Sequence, residues 1–329
     1  MATQITIIGL GQIGASLGLA LAERKDSLVR VGHDIDNGIA KQAKKMGAVD
    51  KTSRNLYKSI EGSDAVFLAL PLDQVEETLA LIAGDLQEDS VLLDTAPIKS
   101  TVARWAAEQL PPGRHYVGLT PIINPNYLHG VDTGIEGAHG DLFKDGLLAI
   151  VTPHGSDSGA VKFATDLAYL IGATPLYVDA AEVDSYMAAT HILPQLVAAG
   201  LLGTTVDQPG WRDGGKFAGR AYAQVTSPVA FFDPPDAVVS AAVNNPENTK
   251  RVLDQMAGYL QELGKAIVSG ETEELTRAYK HLNDQRLRWL HMRLAADWEA
   301  EGEQVDLPTS SEFFGQILMG RTRKKKKEK

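Results

Sequence analysis

Six residues near the start of the chain, Gly9-Leu10-Gly11-Gln12-Ile13-Gly14, constrain the fold more than any other stretch. They follow a strand-like run, Ile5–Gly9, and open a helical stretch, Ile13–Arg24. In that context the first glycine permits a tight turn, the second lets a backbone approach a pyrophosphate, and the third allows close strand–helix packing. The helix N-terminus adds unpaired N–H groups and a dipole that favour phosphate. Asp34 ends the next strand-like run, 20 residues past Gly14. That is the offset of a carboxylate that binds a ribose 2′-hydroxyl and repels a 2′-phosphate, so NAD is expected rather than NADP. Lys41 and Lys44 follow closely enough to act against that preference.

The alternation continues through the first half. Strand-like runs at Leu28–His33, Ala65–Leu70, Ser90–Asp94, His115–Leu119, Leu147–Thr152 and Thr174–Val178 are interleaved with helical stretches such as Gln74–Leu86, Ser100–Gln109 and Asp157–Ile171. This predicts an α/β Rossmann domain, a doubly wound and mostly parallel sheet covered on both faces. Ligands of such sheets lie beyond the carboxyl ends of the strands. Two strand ends, Leu70-Pro71 and Thr95 after Asp94, therefore join the glycine turn as cofactor-binding candidates. From about Ala180 the pattern becomes all-helical. Val183–Leu202 is long and apolar, which predicts a helix buried on most sides. Val252–Ile267 and Thr272 to about Trp298 carry apolar residues at helical spacing, separated by Ser269-Gly270. The expected organisation is a nucleotide-binding domain over 1–179, a helical substrate and dimerisation domain over 180–305, and a terminal segment over 306–329. The apolar stripes suit packing within one chain or across a dimer.

Composition removes whole classes of chemistry. The chain of 329 residues has no cysteine, hence no disulfide, thiolate nucleophile, iron–sulfur cluster or Cys-ligated zinc. No HExxH or Asp/His cluster appears, and His281 and His291 are ten apart, so no metal is expected. Residues 321–329 carry seven basic side chains and one acid, and the remaining 25 basic residues face 41 acids. An acidic body argues against a nucleic-acid partner, and the basic tail reads as a solvated, disordered end. The longest clean apolar run, Ala65–Leu72, is far short of the ~20 residues a membrane helix needs. With a strand beginning almost at Met1 there is no room for a leader, and a cytoplasmic location is expected.

At this point the chain resembles the prephenate and arogenate dehydrogenase family of tyrosine biosynthesis. The resemblance runs from about Ile5 to Trp298. It rests on the glycine turn with Ala15-Ser16-Leu17, on Ala69-Leu70-Pro71, and on Asp94 with Ile98-Lys99. Tyr116-Val117-Gly118, Asp141-Leu142-Phe143 and Val151-Thr152-Pro153 extend it, as do Asp184 with Ala188, Leu193-Pro194 and Arg212-Asp213. It implies an NAD-dependent oxidoreductase that removes a hydride and carbon dioxide from a small carboxylated ring, and a homodimer formed through the helical domain.

The catalytic signatures of that family are substituted here. Pro97 stands where its serine is usual, and Thr120-Pro121-Ile122 where His-Pro-Met is usual. In the helical half Val183-Asp184 replaces a His-Asp start, and His191-Ile192-Leu193-Pro194-Gln195 replaces Ser-His-Leu-Pro-His. Alcohol oxidation requires a group that takes or holds the hydroxyl proton, for which histidine is well suited. Thr120 and His191 are thus the catalytic candidates. His191 is one position before a family histidine, a rotation of ~100° on a helix, so a helix histidine bonded to a neighbour is an equal reading. Arg212 and Lys216, set among Gly210, Gly214 and Gly215, are candidates for a substrate carboxylate; Lys216 replaces a usual arginine and lacks its bidentate fork. His129 and His139 lie in the Gly-rich stretch Asn126–Gly140, a candidate lid. Two alternatives remain open: a dehydrogenase of this architecture acting on another small carboxylated substrate, and a non-catalytic NAD-binding regulatory protein.

Overall fold

The computed structural model describes residues 3–24, 27–130, 132–231, 233–296 and 298. Eight strands form one sheet in the order β3-β2-β1-β4-β5-β6-β7-β8. They are β1 Thr3–Ile8, β2 Leu28–His33, β3 Lys51–Thr52, β4 Ala65–Leu68, β5 Val91–Asp94, β6 His115–Ile122, β7 Leu147–Val151 and β8 Thr174–Tyr177. All neighbours are parallel except β6 and β7, which pair antiparallel with Thr120 opposite Ala149. The chain order reverses between β1 and β4, which opens the crevice where such sheets bind ligands.

Helices α1 Gln12–Ala20, α2 Asn37–Met46, α3 Leu56–Ile60, α4 Leu72–Ile82, α5 Lys99–Gln109 and α6 Ser158–Leu170 belong to the sheet half. Two apolar layers form. One packs Leu17, Leu21, Ala43, Phe67, Leu142 and Leu167 together; the other packs Val66, Leu68, Leu79, Ile98, Val102 and Trp105. The sequence pattern misses β3 and α2. Strand β3 has two exposed residues, and α2 is rich in lysine, burying only Ala40 and Ala43.

The helical half comprises α7 Ala180–Met187, α8 Leu193–Thr205, the short helices α9 Trp211–Gly214, α10 Arg220–Thr226 and α11 Pro228–Phe231, then α12 Pro235–Val243, α13 Pro246–Ser269 and α14 Thr272–Ala295. A π-helical turn, Ala188–Ile192, joins α7 to α8 without a break. Its cause is local: Pro194 has no N–H to donate, and its ring crowds the carbonyl four residues back. Ala180–Thr205 is long and apolar enough to cross a membrane by length and composition alone. In this fold it docks polar residues, Asp184 and Gln195, inward.

The expected burial of this helix on most sides is corrected. Along α7 to α8 the buried residues are Val183, Asp184, Ala188, Ile192, Gln195 and Ala198, one side only. The longest helices are barer still. α13 buries Thr249 and Val252, and α14 buries nothing. Tyr259, Leu260, Ile267, Tyr279, Leu282, Trp289 and Leu294 all lie exposed. The end of α14 returns to the sheet half, where Arg293 donates to the Ile123 carbonyl at 2.6 Å.

Candidate functional site

The glycine turn is built by contacts that only glycine allows. Gly9 has φ +89°, and a Cβ there would lie 2.3 Å from the Ala69 carbonyl oxygen. A Cβ on Gly14 would lie 1.9 Å from the Gly9 oxygen, so the first turn of α1 presses directly on the end of β1. Gly11, the residue capping α1, has nothing within 4 Å of that position. Two glycines close the packing and the third leaves open space at a helix N-terminus, a cradle that fits a pyrophosphate.

The neighbouring candidates surround this cradle. Leu10 is fully buried, and its N–H donates to Asp34 Oδ2 at 2.8 Å. Asp34 Oδ1 accepts from Asp36 N at 2.9 Å, so the carboxylate is fixed against the turn. Gln12 reaches across to the Gly137 carbonyl at 3.0 Å. Leu70 lies against Gly9, and Pro71 caps α4. Ile13 and Thr95 line one small apolar cavity with Phe67, Leu119 and Pro121. The stretch expected as a lid is strapped down: His139 N donates to Ser16 Oγ, and Gln42 bonds Glu136. His139 also stacks on Tyr127 with ring centroids 4.4 Å apart. The Tyr127 hydroxyl donates to Asp141, and that bond, aided by burial and charge, pushes its pKa to about 12.

Beneath the strand ends lies a buried ionic group. Lys99 Nζ donates to Asp94 Oδ1 at 2.7 Å, both side chains fully enclosed. The Tyr116 hydroxyl donates to Asp94 Oδ2 at 2.6 Å. Burial pulls the Lys99 ammonium below its ordinary pKa against the pull of Asp94 and Asp184. It pushes Tyr116 well up, with both carboxylates adding to the effect. Asp184 comes from α7 and accepts from the N–H groups of Lys99 and Ser100, at 2.6 and 3.2 Å. A side chain of the helical half thus caps α5 of the sheet half. Thr120, near the end of β6, is buried and its Oγ1 has no partner.

On the π turn His191 Nε2 lies 2.6 Å from Asp233 Oδ2. Gln195 braces the pair, its Nε2 donating to Asp233 Oδ2 at 3.0 Å and to the His191 carbonyl at 3.1 Å. Both amide hydrogens are thereby used, while the buried Oε1 has no partner. Burial raises the Asp233 pKa, but the His191 bond and charge, joined by Gln195, outweigh it and leave the carboxyl below its ordinary value. The next residue, Ile192, packs in the layer containing Ala96 and Ile98, with Leu70 beside it. The π turn therefore rests against the strand-end loops. Nothing in the sequence marks Asp233 as the partner of His191; it follows two phenylalanines and precedes Pro234-Pro235.

The last two candidates stand apart. Arg212 is exposed on α9. Lys216 is bonded to Asp213 at 2.6 Å, with both side chains more than two-thirds exposed. Trp211 tilts against Tyr222, the ring centroids 5.6 Å apart. Among the described residues no group of three or more histidine or acidic side chains is placed to hold a metal.

Residues 17–177 match the model of the nucleotide-binding domain of prephenate dehydrogenase. Over those residues the chain is similar to the prephenate dehydrogenase family. The matched region begins just past the glycine turn, whose role rests on the geometry above. The chain is 23% identical to prephenate dehydrogenase of Bacillus subtilis over 294 residues, 87% of this chain and 76% of that protein. It is 23% identical to cyclohexadienyl dehydrogenase of Zymomonas mobilis over 285 residues, covering 86% and 94%. The fold is that of prephenate dehydrogenase from Aquifex aeolicus, solved with hydroxyphenyl propionate and NAD+. That structure superposes with a TM-score of 0.76 at 21% identity, over 88% of this chain and 98% of that one. Similarity to this family agrees with a dinucleotide cradle and leaves the substituted catalytic positions to be explained by this chain's own residues.

Proposed function

We propose that the chain is an NAD-dependent dehydrogenase that oxidises and decarboxylates a cyclohexadienyl substrate, prephenate or arogenate, in tyrosine biosynthesis. The observation that carries this reading is the glycine cradle with its backbone-anchored Asp34, in a chain whose relatives span most of its length. A dinucleotide held by the Gly9–Gly14 turn and Asp34 would supply the acceptor for the hydride on the ring carbon that bears the hydroxyl. The ring carboxylate leaves as carbon dioxide and its bonding pair passes into the ring, while the hydroxyl proton is held by a base.

That base is His191 in this reading. The ionised Asp233 holds the Nε2–H, which fixes the tautomer and leaves Nδ1 as the acceptor. Thr120, with its free buried hydroxyl, is the second polar group for the substrate at the end of β6. Arg212 and Lys216 serve the substrate carboxylate, for which Lys216 exchanges its exposed Asp213 partner. The working unit is a homodimer in which a second copy covers the apolar face of α13 and α14, since a 24-residue helix that buries nothing gains little from its own chain. Residues 1–179 bind the nucleotide and 180–305 bind substrate and partner; the basic tail within 306–329 lies outside the described residues. The enzyme acts in the cytoplasm on small diffusible substrates, with no nucleic-acid or membrane partner.

Thr120 in place of the usual histidine favours one alternative, a dehydrogenase of the same build acting on another small carboxylated substrate. Reduction of NAD+ and NADP+ by the purified chain, with prephenate, arogenate and a set of small hydroxy acids, separates the two. Turnover with prephenate or arogenate, one carbon dioxide per NADH, supports the proposal. Turnover confined to another acid, or NADH binding with no turnover at all, rejects it.

A further inference from the structure

The turn after β2 reads Asp34-Ile35-Asp36-Asn37 and leads straight into α2. Asp34 is already tied on both oxygens, to Leu10 N and to Asp36 N. An ionised carboxylate has about four acceptor positions, so it can still receive a ribose diol. Ile35 is 94% exposed, an aliphatic surface beside that carboxylate and suited to a flat heteroaromatic base.

Asp36 does something different. Its Oδ1 accepts from Gly38 N at 2.6 Å, so an exposed carboxylate caps α2. A helix N-terminus ordinarily welcomes a phosphate. Here the chain fills that place with its own anion. A phosphate on the adenosine 2′-hydroxyl carries roughly 1.5 to 2 negative charges. It would enter a turn that already holds two. The cations offer limited relief. Lys44 and Lys45 lie in the last turn of α2, at its opposite end. Lys41 is exposed in the second turn, and Arg54 is exposed after Ser53, whose backbone bonds Gly32 and His33.

We propose that Asp36 is a second selectivity residue for the dinucleotide: Asp34 receives the ribose diol, and Asp36 occupies the start of α2 against a 2′-phosphate. Two carboxylates, not one, then restrict the chain to NAD. The inference rests on the NAD reading above and adds a residue to it.

Calorimetric titration of the full chain with NADH and with NADPH tests it without turnover. Asp36→Asn removes the charge and keeps the cap, because asparagine caps as well as aspartate. The wild-type chain is expected to prefer NADH by about a hundredfold, and D36N to narrow the ratio about tenfold by gaining NADPH affinity. Asp36→Glu, which keeps the charge and weakens the cap, is expected to retain the wild-type ratio. A ratio unmoved in D36N, or narrowed equally in D36E, overturns the role of Asp36 while wild-type NADH binding leaves the NAD reading standing. Equal wild-type affinities also overturn it. If the wild-type chain binds neither dinucleotide, the NAD reading falls and this inference falls with it.

Discussion

At the glycine turn each functional group is held by backbone. Asp34 takes Leu10 N and Asp36 N, Gly14 presses on the Gly9 carbonyl, and Gln12 spans to Gly137. At the helical site His191 leans on one carboxylate from the turn before α12, and Arg212 and Lys216 stand in solvent. The contrast extends to packing. The sheet half closes one apolar layer of its own and shares the other with Ile192 and Ala241, whereas α13 and α14 leave most of their large apolar residues bare. The nucleotide end is thus pre-organised by its own fold, and the substrate end is built on elements that need company. Asp184 is one of the side chains that tie the two halves, capping α5 from α7, beside Thr101, which donates to the Asn244 carbonyl, and Arg293, which donates to that of Ile123.

The comparison breaks first at the buried ionic group. Lys99→Met leaves Asp94 enclosed without its cation, and removing one partner of a buried pair costs about 3–5 kcal/mol. Urea unfolding is expected to show that loss. A variant within about 1 kcal/mol of wild type would mean that Tyr116 and the Ala96 N–H, which donates to Asp94 Oδ1 at 2.9 Å, satisfy Asp94 unaided. Gly14→Ala places a methyl 1.9 Å from the Gly9 oxygen, and relieving such a clash costs about 1–3 kcal/mol. NADH binding should vanish in a chain that is still folded by circular dichroism. Retained binding would show that α1 can slide off β1, and that the turn is less rigid than its contacts imply. Leu282→Glu puts a charge on the bare face of α14. Sedimentation velocity should then find monomers where the wild-type chain sediments as a dimer. A wild-type monomer, or a variant still dimeric, would remove this face from the assembly.

Much of the sheet half can be read from residues because its signals are local. Alternating β-branched runs locate seven strands, and three glycines with Asp34 at the right offset locate the cradle. Strand β3 and helix α2 escape because neither presents an apolar period: β3 has two exposed residues and α2 is mostly polar. The helical half is legible as helices but not as packing. The stripe on α14 predicts burial without saying against what, and within one chain none of its residues becomes fully buried. The π turn has a visible cause in Pro194, yet its consequence, the pairing of His191 with Asp233 across 42 residues, is set by tertiary docking. The cap that Asp184 gives α5 is equally non-local, 85 residues from Lys99.

The division of labour between the two halves is tested most directly by His191→Asn, followed for NADH affinity by calorimetry and for turnover with the preferred cyclohexadienyl substrate. Loss of a positioned base is expected to lower turnover about a hundredfold or more, while NADH affinity stays within about twofold of wild type. Unchanged turnover would remove His191 from the chemistry, and a parallel loss of NADH affinity would show that the cradle is not independent of the helical site.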